Sequence, residues 1–263
     1  MLMRETPARF FRILAVLPAL VLIPVVTAQK QVTNWMEMSR KDAEHILNES
    51  PWSHTQVDTD VTEMFYSPTT AGVGSTGRSE ASRGRTTDRQ TVSNNRTDRG
   101  AVNQAVNTKY RICFLSAMPV RQAFARMIFL SQPKVDNQLL TQLQAFVNRD
   151  FSPFIVIAVE VESSDSRFSG PIKQILNSTT AGVLKNKAYI ERPDGKRLFL
   201  IDYKPPIEDG LGAKFIFPRQ VNGEPFLTAD SETVRFVAEF NESFKLNMRF
   251  KLADMVYQGK LEY

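Results

Sequence analysis

The sequence predicts an α+β protein in which a helical hairpin packs on a mainly antiparallel sheet of about six or seven strands. Three observations predict it. Apolar residues recur at helical spacing between residues 119 and 147, the period falls to two from residue 154, and turn signatures of hairpin type separate the β-like runs that follow.

The first 28 residues read as a secretory signal peptide. Arg4, Arg9 and Arg12 form a cationic n-region, Ile13 to Val26 an apolar core, and Val26-Thr27-Ala28 a small-residue cleavage site. A spanning anchor needs about 20 consecutive apolar residues, and this run is shorter and interrupted by Pro18 and Pro24. Cleavage after Ala28 is expected, which makes the protein periplasmic or extracellular with no stable transmembrane span after processing. The single cysteine, Cys113, lies far from the cleavage point, so it offers no lipidation site there and no internal disulfide.

Residues 29–66 form an N-terminal segment built on one amphipathic helix. Ser39 caps it, Asp42 completes a capping-box-like pattern, and Ala43, Ile46 and Leu47 share a face. Pro51 ends it near Asn48 to Ser50. Trp35 and Trp52 bracket the helix, which marks both as candidate contacts with a ligand or partner. Residues 67–108 are rich in Ser, Thr, Gly and Asn, lack aromatics, and read as a disordered linker because they cannot bury enough apolar surface to offset ordering.

The rest, 109–263, reads as the α+β domain. Lys109 to Leu115 is a strand. Val120, Ala123, Phe124, Met127 and Ile128 mark one helix, with Pro119 in its first turn, and Leu139, Leu140, Leu143 and Val147 a second that begins near Asp136. Phe154 to Val159 is a strand covered on both faces. A short helix follows with Pro171 in its first turn and Ile172, Ile175 and Leu176 on one side. Leu184 to Glu191 and Arg197 to Tyr203 flank the turn Arg192-Pro-Asp-Gly-Lys196; Ala213 to Phe217 and Pro225 to Thr228 flank Asn222-Gly223. The cleanest alternation closes the chain, Val234 to Phe240 against Phe244 to Leu252, with Lys245, Asn247, Arg249 and Lys251 on the solvated face.

The formal charge is +5, and removal of the leader takes three arginines and one glutamate with it, leaving +3. That surplus sits in the 67–108 tract rather than on a face, which argues against nucleic acid as a partner. Gly72-Val-Gly74-Ser-Thr-Gly77 matches a dinucleotide-binding string but has no strand before it and no helix after it, so no cofactor is expected. His45 and His54, nine residues apart across Pro51, lack metal-ligand spacing, and no metal is expected. No G-x-S-x-G elbow surrounds any serine. Glu160 and Glu162 share one face of their strand, with Asp165 just beyond, and are the alternative acid pair of a hydrolase. Arg219, in the turn after Lys214-Phe-Ile-Phe-Pro218, is a candidate ligand contact.

Trp35 to Ala43, Ser50-Pro51-Trp52, Ser116 to Ala123 and Lys214 to Arg219 together resemble a family of uncharacterised secreted bacterial proteins. The resemblance implies a bacterial envelope location and carries over no catalytic residue. The expectation from the sequence is an exported, non-catalytic binding or interaction protein whose partner is an envelope protein or a small ligand; the alternative is a secreted hydrolase with a site assembled from dispersed carboxylates.

Overall fold

A computed structural model describes residues 34–60, 106–163, 166–206 and 210–263. The leader, the glycine string, Asp165 and most of the 67–108 tract lie outside the described residues. Helix α1 (Arg40–Asn48) starts as its sequence dictates: the Ser39 hydroxyl accepts from the Asp42 N–H at 3.0 Å and donates to the Asp42 carboxylate at 2.7 Å. It stops where two hydroxyls take its last carbonyls, Ser50 donating to Ile46 at 2.6 Å and Ser53 to Leu47.

That exit leads through Trp52 into β1 (Ser53–Asp60), which pairs antiparallel with β2 (Val106–Phe114), Gln56 lying opposite Tyr110. The sequence gives no sign of β1. Its one large apolar residue, Val57, is exposed, and the strand exists because β2 offers it a ladder. Residues 106–108, assigned to the linker by composition, belong to β2.

Helices α2 (Met118–Ser131) and α3 (Asn137–Val147) form the expected hairpin, with Pro119 in the first turn and Asp136 capping the Leu139 N–H at 2.7 Å. Arg121, 4% exposed, ties the two together. Its Nε donates to the Val147 carbonyl at 3.0 Å, a terminal nitrogen donates to the Ser116 carbonyl, and the guanidinium lies 4.8 Å from the Phe151 ring.

Strand β3 (Phe154–Ser163) is followed by α4 (Ser166–Ser178), in which Pro171 sits inside the helix rather than in its first turn. The proline is on the exposed side, where water can serve the backbone group its ring cannot. After α5 (Ala181–Leu184) comes β4 (Ala188–Glu191), so Leu184 ends a helix instead of starting a strand. The Arg192 to Lys196 turn forms as read, with Gly195 at φ +79°.

The expected strand from Arg197 to Tyr203 divides into β5 (Arg197–Phe199), which pairs with β4, and β6 (Asp202–Lys204), which pairs with β7 (Ala213–Pro218). The Leu200 N–H still reaches Ala188, whereas the Ile201 N–H reaches Ile216, so the chain changes sheets within one peptide. The Asn222-Gly223 turn forms with both residues at positive φ, but it joins only β8 (Gln220–Val221) and β9 (Glu224–Pro225). The run before it, β7, pairs with β3 and β6 instead. The C-terminal pair, β10 (Thr233–Glu239) and β11 (Lys245–Lys251), folds as read, and a small hairpin of β12 (Val256–Tyr257) and β13 (Lys260–Leu261) follows.

The fold is therefore α+β with mainly antiparallel sheets, a five-stranded one ordered β1-β2-β3-β7-β6 and a four-stranded one ordered β11-β10-β4-β5. More strands are present than the six or seven expected, because β1 carries no signal and one predicted strand splits. The sheets face each other across an aromatic core: Phe114 meets Phe250 edge-on at 4.8 Å, Phe215 meets Phe236 at 5.2 Å, and Tyr110 stacks on Phe244 at 5.4 Å. Helices α1 and α2 lie on the outer face of the five-stranded sheet, where Arg111 meets Asn48 and Phe124, whereas α4 packs on β3 and accepts at the Leu176 carbonyl from the inward-facing Tyr203 hydroxyl at 2.7 Å. The outer face of the four-stranded sheet carries exposed Arg197, Phe199, Lys245, Asn247, Arg249 and Lys251. Among the described residues no helix is long and apolar enough to cross a membrane.

Candidate functional site

The two sheets are joined differently on their two sides. On one, the β5–β6 chain runs from sheet to sheet. On the other, the edges β1 and β11 face each other without a ladder, and Gln56 spans the seam. Its Nε2 donates to the Lys245 carbonyl at 3.1 Å and its Oε1 accepts from the Asn247 N–H at 3.0 Å.

Beside that bridge the seam opens into a groove of about 500 Å³ lined by Asn48, Glu49, His54, Thr55, Met248 and Arg249. Each wall has a local cause. Asn48 and Glu49 arrive where α1 ends at its serine caps. His54 lies opposite Ile112 in the register and so points into the sandwich, where its ring sits 5.0 Å from Phe250. Burial lowers the His54 pKa below the ordinary histidine value, favouring the neutral imidazole. Met248, opposite Phe236, shares the inner face of β11, whereas Arg249 projects outward.

Arg249 makes no ion pair among the described residues. Its cross-strand partner is another arginine, Arg235. The nearby Glu191 is already engaged, accepting from Arg197 at 2.8 Å and from Arg235, and these hydrogen bonds hold its carboxyl below the usual range. The groove is thus dipolar, with Glu49 and the C-terminal end of α1 on one side and an unneutralised guanidinium on the other.

The residues singled out from the sequence are spread through the molecule. Trp35, 7% exposed, packs with Ala125, Leu143 and Val147 and meets Phe129 edge-on at 6.2 Å. Trp52, 5% exposed, belongs to the main core, and its indole N–H donates to the Glu262 carbonyl at 2.8 Å. Arg219 lies 4.2 Å from the Tyr263 ring, donates to the Tyr263 carbonyl, and donates through Nε to Phe154 at 3.4 Å. Trp52 and Arg219 meet adjacent residues that follow β13, Glu262 and Tyr263, Trp35 packs in a separate cluster, and each is engaged with its own chain.

Glu160 is ion-paired with Arg111, whose guanidinium also lies over Phe124 and reaches Asn48 at 3.4 Å. Glu162 is exposed and opposite Lys109. Burial pushes the Cys113 thiol up to about 12, which keeps it protonated. His45 is exposed on α1, and among the described residues no group of three or more His, Cys, Asp or Glu side chains is placed to hold a metal ion.

Sequence reasoning missed His54 and Arg249 as neighbours because they are 195 positions apart and meet only across the seam. Compared with protein-family models, curated proteins and solved structures, the chain matches none of them.

Proposed function

We propose that this chain is a non-catalytic binding protein exported to the bacterial envelope, with its ligand seated in the groove between β1 and β11. The observation that carries the reading is the convergence there of Glu49, His54 and Arg249 from three separate elements, in a recess where an arginine meets no carboxylate among the described residues. The signal-like leader and the resemblance to secreted bacterial proteins support the location. Glu160, the first suspect for acid–base chemistry, is engaged by Arg111, and the Cys113 thiol is buried, which supports a binding rather than a catalytic reading.

Capture from a detergent-solubilised envelope fraction by immobilised wild type and by Arg249→Glu tests the reading. Arg249 is exposed, so reversing its charge leaves the core intact. A component retained by wild type and lost by the variant is expected; equal retention by both removes the groove from the function. The hydrolase alternative is tested with a panel of generic ester, peptide and glycoside substrates. Turnover abolished by Glu160→Gln would overturn the binding reading.

A further inference from the structure

The pairing register lays out the outer face of the four-stranded sheet as two lanes that cross its strands. In one, Arg249, Arg235, Glu191 and Arg197 lie side by side on β11, β10, β4 and β5; in the next, two residues along each strand, come Asn247, Val237, Tyr189 and Phe199. The residues that alternate with them, Phe236, Ile190 and Leu198 among them, fill the core, so both lanes look outward. The rim of the face is open, with Arg197, Phe199, Asn247 and Arg249 all exposed.

The first lane is cationic. Glu191 accepts from Arg197 at 2.8 Å and from Arg235 and aligns both, but a single carboxylate cannot neutralise the pair, and Arg249 beside them has no ion pair among the described residues. Lys245 and Lys251 flank Arg249 on β11, the former opposite Glu239 and the latter 3.1 Å from Asp254, so the excess positive charge belongs to the arginines. The second lane is apolar. Val237 is 6% exposed, the half-buried Tyr189 ring lies 5.9 Å from that of Phe199, and Phe199 itself is 43% exposed. Arg197 joins the two lanes, its guanidinium 4.5 Å from the Tyr189 ring. The strand spacing makes each lane about 14 Å long, and the two-residue step sets them about 7 Å apart.

We propose that this face binds a linear acidic polysaccharide built of uronic acid units. A pyranose has a face of C–H bonds that packs on an aromatic ring, and a uronic acid carries a carboxylate at the edge of the same ring. A chain laid along the apolar lane sets its ring faces on Phe199 and Tyr189 and its carboxylates on the arginine lane, where planar guanidinium groups pair with them. A neutral glycan leaves the arginines unused, and an acidic peptide brings no ring faces. Single-stranded nucleic acid offers rings and charge in a related pattern; the exported location proposed above favours the polysaccharide. The proposal goes beyond the groove, with which this face shares only Arg249.

The test titrates the full chain into fluorescein-labelled hexamers of galacturonate and of mannuronate, read by anisotropy, beside a neutral galactose hexamer, an aspartate hexapeptide and a thymidylate hexamer. Binding of at least one uronate is expected, tighter than that of the three comparison probes and weakened by added salt. Phe199→Ala and Arg197→Ala, both at exposed positions, should each weaken it by about tenfold, whereas Phe199→Tyr and Lys134→Ala, the latter exposed and away from the face, should leave it unchanged. The proposal is overturned if neither uronate binds, if Phe199→Ala binds like wild type, or if the galactose or aspartate probe binds as tightly. It is also overturned if Lys134→Ala weakens binding as much as Arg197→Ala, which would mark diffuse attraction, or if thymidylate binds more tightly than the uronates, which would mark a nucleic-acid surface. Phe199 and Arg197 lie outside the groove, so envelope capture that depends on Arg249 and survives both alanine substitutions keeps the groove reading when the polysaccharide fails.

Discussion

Removing the Gln56 side chain should loosen one seam while leaving the sandwich folded. Gln56→Ala deletes two side-chain-to-main-chain hydrogen bonds, at 3.1 and 3.0 Å, each with a net contribution of about 0.5–1.5 kcal/mol. The released carbonyl and N–H regain water at a half-exposed site, and the variant no longer orders a long side chain whose fixing costs up to about 2 kcal/mol. The net loss should be about 1 kcal/mol, a fall in Tm of about 2–4 °C for a domain of this size. The local effect should exceed the global one: by amide exchange Asn247 loses its protection, whereas Leu246 and Met248, bonded to β10, keep theirs. Gln56→Glu sharpens the test. It keeps an acceptor for Asn247 but turns an oxygen onto the Lys245 carbonyl, close to the Asp58 carboxylate that Gln56 now reaches at 3.4 Å. That crowding raises the new carboxyl's pKa in the folded state, so the variant should be less stable than Gln56→Ala at pH 7 and should recover as pH falls through the raised folded value, fully by the unfolded value of about 4, because a protonated carboxyl donates again. Unchanged Asn247 protection in Gln56→Ala would refute the reasoning, as would a fall in Tm several times the expected one.

Gly212→Ala should destabilise the protein by at least about 2 kcal/mol in urea titration, because Gly212 is at φ +72° and a Cβ there would lie 2.1 Å from the Val159 carbonyl oxygen, forcing β3 and β7 apart. Gly210→Ala, at φ +70° with open space around it, isolates the backbone cost of about 1–2 kcal/mol; equal losses for the two would discount the close approach. Cys113 should resist thiol reagents at pH 8 in the native protein and react only at the rate of unfolding; prompt labelling would contradict its burial. The lowered pKa of His54 has a definite sign in stability: as pH falls below about 6.5 the unfolded chain takes up the proton first, so stability is lost from there down through the folded value. The urea midpoint of wild type should therefore drop more between pH 7.5 and 5 than that of His54→Phe; identical drops would place the imidazole in water.

Elements whose instructions are local were legible. Ser39 and Asp136 announce helix starts through their own side chains, Arg192 to Lys196 closes through its own dihedrals, and β10 with β11 shows the two-residue period over a full hairpin. Elements that depend on a distant partner were not. β1 is polar and acquires its structure from β2, the run after Arg197 changes sheets because Ala188 and Ile216 offer successive partners, and β7 passes over the nearby turn to join β3.

The same division holds for the site. Composition and spacing singled out Trp35, Trp52 and Arg219 as candidate contacts and Glu160 and Glu162 as an alternative acid pair, and passed over both histidines, yet they do not say which side chains the fold will use up. Arg111 meets Glu160, Tyr263 meets Arg219 and Phe250 covers one side of His54 only after non-local pairing brings them within a few ångströms. The sequence alone determined the helical hairpin, the antiparallel β-rich half and the chemistry on offer, because capping, turn and alternation preferences act between near neighbours. The tertiary structure alone decided the order of the strands, the groove at the β1–β11 seam and the free charge of Arg249, because a strand edge exposes main-chain groups that any complementary edge can satisfy, and which edge does so is settled by packing.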